Sequence, residues 1–167
     1  EAIKTKADFQ GLNQYFPSYI QAAEGAAWPF KHAQPPNYFR RTEMGWAIDG
    51  DCFYQTMKIL QDDYGNPPVF ITENGGAFTD IPKANGQIDD QDRIAYYTEY
   101  LEALLRAKSE GADIRGYMPW SLLDNFEWAY GYEKRFGLVH VDYTTQKRTP
   151  KASYDFMRKV ISQNALP

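Results

Sequence analysis

The chain has 167 residues, 43% hydrophobic and 16% aromatic, with a formal net charge of −4 at pH 7. That is the size of one domain with enough apolar material for a core, so residues 1–167 are expected to form a single domain. The acidic balance argues against nucleic acid, which needs clustered Lys and Arg, and no run of ~18 apolar residues predicts a membrane span.

Asp8 to Tyr15 reads as a strand, weakened by Gly11 and Asn13. The stretch from Phe16 to about Gly45 holds Pro17, Pro29, Pro35 and Pro36 and is expected to lack regular elements. A loop of that length is usually functional or disordered. A helix is predicted from Asp51, because Phe53, Met57, Leu60 and Tyr64 share one face, with Gly65 stopping it. A strand follows over Val69–Thr72. Asp89, Asp90 and Asp92 suit the positive end of a second helix, whose apolar face is Ile94, Tyr97, Leu101, Leu104 and Leu105. Gly111 ends it, and Ile114–Trp120 reads as a third strand. Gly137 to Tyr143 alternates as Leu138, Val139, His140, Val141, and Thr144-Thr145-Gln146 is expected to turn it into a hairpin. Thr149-Pro150 has the form of a helix start, before a last helix burying Tyr154, Met157, Val160 and Ile161.

The single cysteine, Cys52, has no internal disulfide partner, which favours a reducing, cytoplasmic setting. His32 and His140 lie far apart without cysteine neighbours, so no metal site is expected. No cofactor is expected either. No signal peptide is evident, and a chain beginning at Glu1 reads as a processed or cut piece.

Strand, helix, strand, helix, strand, helix is an α/β order that implies parallel strands with helical crossovers. Two architectures fit, an open doubly wound sheet and a slice of a barrel. The first would carry a glycine-rich phosphate loop after a strand, and Glu73-Asn74-Gly75-Gly76 is no such fingerprint. The second places chemistry at the C-terminal strand ends, which here carry Asn13 and Tyr15, then Glu73, then Trp120. A carboxylate where an apolar strand runs out must be solvated, paired or used. Glu73 alone could simply face water; beside Tyr15 and Trp120 in one mouth it becomes a candidate reactive group.

Five segments carry a family resemblance: Ile71-Thr72-Glu73-Asn74-Gly75; Trp120-Ser121-Leu122-Leu123-Asp124-Asn125-Phe126-Glu127-Trp128; Arg135-Phe136-Gly137-Leu138; Asp8-Phe9-Gln10-Gly11-Leu12-Asn13-Gln14-Tyr15; and Met44-Gly45-Trp46. In this order they resemble the C-terminal part of glycoside hydrolase family 1, the retaining β-glucosidase type. The resemblance implies the last three strand–helix units of a (β/α)8 TIM barrel, incomplete without its N-terminal part. It implies hydrolysis of β-glycosides such as β-glucosides and cello-oligosaccharides.

In that pattern Glu73 is the nucleophile and Tyr15 the tyrosine that hydrogen-bonds it. Asn13 matches a polar residue near the sugar. Glu127 and Trp128 match the pair that grips the far hydroxyls of the glycone, and Trp120 the platform under the sugar ring. Phe136 matches an apolar wall, and Trp46 an aromatic on the aglycone side. Outside the resemblance, Tyr15 and these aromatics would read as core, and Trp46 as a helix cover. A carboxylate at 127 would repel a sugar phosphate, so the resemblance points to unphosphorylated glucose or a close epimer.

The chain departs from the family pattern at Gln14, where an aromatic is usual. It also contains no Asn-Glu-Pro, the motif of the family's acid/base. Retaining hydrolysis needs two carboxyl groups roughly 5–5.5 Å apart, so the second is expected from the N-terminal barrel part. A barrel slice also leaves raw sheet edges, which makes that part an expected folding partner. The alternatives are a non-catalytic sugar-binding module and a structural fragment.

Overall fold

The computed structural model describes residues 7–25 and 27–167. Residues 1–6 and 26 of the expected single domain lie outside the described residues. Three parallel strands form the main sheet: β1 (Gln10–Asn13), β4 (Val69–Asn74) and β5 (Ile114–Pro119), with β4 in the middle. Between them run helices α1 (Gly50–Asp63) and α2 (Gln91–Ser109), which pack on each other and cover one sheet face. A last helix, α3 (Ala152–Gln163), packs beside α2. Parallel strands with helical crossovers are what the alternating order predicts.

The core lies between sheet and helices. Phe53 and Met57 of α1, Ile71 of β4 and Tyr96, Tyr100 and Leu104 of α2 are buried there. Asp49 caps α1 by accepting from the Cys52 N–H at 3.1 Å. Gly65 takes the left-handed φ of +72° just beyond the helix, as its stop signal predicts.

Several expectations need correcting. The first strand is shorter than Asp8–Tyr15: it ends at Asn13 after a register shift between Leu12 and Asn13, the Gln14 N–H still donates to the Glu73 carbonyl at 3.0 Å, and Tyr15 lies beyond the ladder. The proline-rich stretch contains a hairpin, β2 (Ile20–Ala22) and β3 (Phe30–His32). Its prolines sit outside the paired segments, where a missing N–H costs nothing; Pro29 instead accepts from the Ala23 N–H. The second strand continues past Thr72 to Asn74, so Glu73 belongs to β4 and pairs with Asn13.

Three residues given to apolar faces are exposed: Tyr64, Leu105 and Ile161. Tyr64 lies past the end of α1, and the inner face of α2 keeps the expected Tyr97, Leu101 and Leu104 and adds Arg93, Tyr96 and Tyr100. Thr149-Pro150 does not start a helix. Both residues belong to β7 (Arg148–Pro150), which pairs with β6 (Val139–Val141) in the expected hairpin. The helix starts at Ala152 after Lys151, whose side chain is fully buried in an ionic cluster instead of capping.

Candidate active site

The alternation of β4 breaks near its end. Ile71 lies in the core, and Asn74, three residues later, also faces the helices and bonds to Tyr96 of α2. A regular strand would put residues three apart on opposite faces. The register irregularity between Ile71 and Asn74 absorbs the difference, and Thr72 and Glu73 both face away from the helices. Thr72 donates to Asn13 Oδ1 at 2.6 Å, and Glu73 reaches Tyr15.

The Tyr15 hydroxyl donates to Glu73 Oε2 at 2.7 Å. Burial, then the hydrogen bond and charge of Glu73, push the Tyr15 phenol far above its ordinary pKa. Tyr15 therefore stays a protonated donor. Its ring packs against Trp46, with centroids 5.5 Å apart, and meets Phe136 edge-on at 6.3 Å. Trp46 and Phe136 are 6.0 Å apart, and Phe16 stacks on Trp46 at 4.6 Å. Phe136 is buried and forms the floor of this aromatic group.

Glu127 faces the same charge. Burial first, then the Glu73 carboxylate, raises its pKa above the ordinary carboxylate value. Glu127 also adds to the field on Tyr15. Trp120 follows β5 directly. Its N–H donates to the Asn74 carbonyl at 2.8 Å, and its carbonyl accepts from Tyr97 at 3.3 Å. Gly75 makes this junction possible, since a Cβ there would stand 1.9 Å from the Trp120 carbonyl oxygen.

The structure thus joins Tyr15, Glu73, Trp46 and Phe136 by contact, Glu127 by charge and Trp120 by backbone. Asn13 lies at the exposed end of β1, held by Thr72. Trp128 stands apart, 81% exposed, in a single 3-10 turn over Trp128–Tyr130.

Sequence reasoning gave no role to Asn74. Its side chain is fully buried and donates to the Gln14 carbonyl at 2.8 Å and Tyr96 at 3.0 Å, while Tyr117 donates to its Oδ1 at 2.6 Å. Tyr96 and Tyr100 both donate to the Tyr15 carbonyl, at 3.3 and 3.1 Å. This network fixes the backbone on both sides of the Tyr15–Glu73 bond. An Asn followed by two glycines has the local form of a turn, and only burial separates that from a structural role. Gln14, the departure from the family pattern, turns away from Glu73 and donates to Thr56 of α1 at 3.0 Å.

Among the described residues no group of three or more His, Cys, Asp or Glu is arranged to hold a metal ion, and no described helix is long and apolar enough to cross a membrane. An apolar groove of about 480 Å³ runs between the end of β5 and α3, lined by Pro119, Leu122, Leu138, Tyr154, Met157 and Ile161. It shares no lining residue with the Glu73 site.

Comparison with known proteins places this geometry. Beta-glucosidase A of Thermotoga maritima is 42% identical over 164 residues, covering 98% of this chain and 36% of that protein. A bifunctional beta-D-glucosidase/beta-D-fucosidase of Bifidobacterium breve is 41% identical, covering 99% of this chain and 39% of its own length. The solved structure of the Thermotoga maritima family 1 β-glucosidase superposes with a TM-score of 0.92 at 42% identity, over 99% of this chain and 37% of that one. The chain spans little more than a third of these relatives, and its three strand–helix units are a C-terminal part of their barrel. The family model for Glycosyl hydrolase family 1 matches residues 1–166, and the chain belongs to that family.

Proposed function

We propose that this chain carries the nucleophile side of a retaining β-glucosidase site. The observation that supports this most is the 2.7 Å bond from Tyr15 to Glu73. It engages Oε2 and leaves Oε1 without a hydrogen bond among the described residues, so one oxygen is held and the other is available for attack.

In this reading Glu73 attacks the anomeric carbon and the bond to the aglycone oxygen breaks. That oxygen takes a proton from an acid/base carboxyl in the remaining part of the barrel. Water then attacks the glycosyl ester, giving its proton to the same group, and Glu73 is freed. Glu127, Trp128 and Asn13 bind the glycone hydroxyls, with charged acceptors making the stronger bonds. Trp120 lies under the ring, Phe136 closes its side, and Trp46 faces the aglycone. The substrates are unphosphorylated β-glycosides, because Glu127 would repel a phosphate. Solved structures of Thermotoga maritima β-glucosidase hold isofagomine lactam and deoxynojirimycin, which are glycoside-like compounds.

The partner is the complementary N-terminal barrel part. The edges of β1 and β5, unpaired among the described residues, and the apolar groove beside α3, with Leu122 and Ile161 exposed, suit such a partner. The chain alone is inactive, because it lacks the acid/base. The test mixes this chain with an N-terminal barrel part and measures β-glucoside hydrolysis. The expected result is turnover in the mixture only, abolished by Glu73→Gln. Turnover that survives Glu73→Gln contradicts the assignment, and reversible sugar binding without turnover supports a binding module.

A further inference from the structure

Six buried or half-buried charges form a girdle beneath the mouth of the site. Arg93 binds Asp80 at 3.0 Å and also Asp90. Lys151 binds Asp80 and, at 2.9 Å, Asp124. Arg135 binds Asp124 at 2.6 Å, and Arg93 also donates to the Arg135 carbonyl at 2.8 Å. Three carboxylates balance three cations, so the cluster is neutral inside the protein. None of these groups has a part in the chemistry proposed above.

The girdle grips two loops at their necks. Asp80 lies on the segment that follows Glu73. Asp124 lies where the segment after Trp120 leaves its ladder. Below it, the Ser121, Leu138 and Val139 N–H groups donate to the carbonyls of Phe136, Ser121 and Leu122. Above it, residues 125–135 form the tip that carries Glu127. Asp124 accepts from the Gly137 N–H at 2.9 Å and the Val141 N–H at 3.2 Å, both on the returning limb. The neck has no slack: a Cβ on Gly137 would stand 2.2 Å from the Asp124 nitrogen. Burial acts to raise the Asp124 pKa, but Lys151 and Arg135 outweigh it and hold the carboxyl below its ordinary value. Asp124 is therefore a charged clasp.

We propose that Asp124 is a positioning residue, which with Arg135 closes the neck of the 125–135 loop so that Glu127 is held toward the pocket beside Glu73. This rests on the proposed function, since it assigns Glu127 to the sugar. Loss of the clasp leaves Glu73 and Tyr15 in place, because Asn74 and the tyrosines of α2 hold them. It frees Glu127 to wander, and the sugar loses an acceptor.

The test is a double-mutant cycle in the chain assembled with the complementary barrel part. Asp124→Asn and Arg135→Gln are each made with Glu127 intact and with Glu127→Ala. With Glu127 intact, kcat/KM for a β-glucoside falls about tenfold or more, chiefly through KM; with Glu127→Ala the further loss stays under about threefold. Hydrogen exchange of the same proteins shows faster amides in 125–135 and unchanged protection in α1 and α2. Equal losses in both backgrounds, or exchange that rises throughout, overturns the proposal. If Asp124→Asn does not fold, Arg135→Gln decides by the same cycle, since Arg135 is the partly exposed partner. If the unmutated assembly hydrolyses no glycoside, the glycosidase reading fails, while unchanged exchange in 125–135 overturns the clasp independently.

Discussion

The Tyr15 hydroxyl and the Glu73 carboxylate, 58 residues apart in sequence, meet at 2.7 Å. Two separate devices bring them there. The register shift after Leu12 releases Tyr15 from β1, and the irregularity before Asn74 turns Glu73 away from the core. In the proposed reaction the phenol holds one carboxylate oxygen, and misplacement of a reacting atom by an ångström costs on the order of 100-fold. Tyr15→Phe keeps the ring packed against Trp46 and Phe136 and removes only the donor. We expect kcat of the assembled protein to fall about 10- to 100-fold, the loss of one hydrogen bond to a charged group, with the melting temperature nearly unchanged. Steady-state kinetics beside thermal denaturation checks both.

Asn74 supports the same bond from below. Asn74→Ala removes three hydrogen bonds made by a fully buried side chain and leaves the Gln14 carbonyl and the Tyr117 hydroxyl short of partners. The expected loss is about 2–4 kcal/mol of stability, read from the urea midpoint. A loss below about 0.5 kcal/mol, the scale of an ordinary surface substitution, would show that the network is not needed.

Gly75→Ala sets a methyl group 1.9 Å from the Trp120 carbonyl oxygen, which is backbone and cannot rotate away. The ends of β4 and β5 must separate. The expected cost is about 1–3 kcal/mol, and since Glu73 and Trp120 flank the junction, kcat/KM should fall as well. An active, fully stable variant would mean that the two strand ends are not closely coupled.

The Glu127 carboxyl has its pKa raised by burial and then by Glu73. The folded state therefore binds this proton more tightly than the unfolded chain. The ionised form costs stability once pH rises through the folded pKa, and the cost is absent below the unfolded value. Glu127→Gln should accordingly raise the melting temperature at pH 7, with the gain shrinking as pH falls to about 4. Activity should drop in the same variant. Melting curves across pH test the sign, and a destabilised variant at pH 7 contradicts it.

Much of this was legible in the sequence, for physical reasons. The turn glycines and the spacing of Phe53, Met57 and Leu60 placed α1, and the alternating order of elements placed the parallel sheet. What escaped depends on partners distant in sequence. A strand-end irregularity at Glu73 has no local signature, because it exists only against β1 and β5. Thr149-Pro150 has the local form of a helix start, yet pairing of Thr149 with His140 puts it in a strand. Arg93 has no local signal of burial, since only Asp80 and Asp90 make its burial tolerable. The candidate site residues were named through their motifs, while Asn74 and the ionic girdle depend on contacts between residues distant in sequence.

The central claim is that the carboxylate at position 73 forms a covalent bond to the sugar. A 2-fluoro-β-glucoside with a good leaving group should inactivate the chain assembled with its N-terminal barrel part. Mass spectrometry of the digested protein should then find one 2-fluoroglucosyl group on the peptide containing Glu73, and none in Glu73→Gln. Label on another carboxylate, or hydrolysis of β-glucosides with no adduct at any stage, would contradict it.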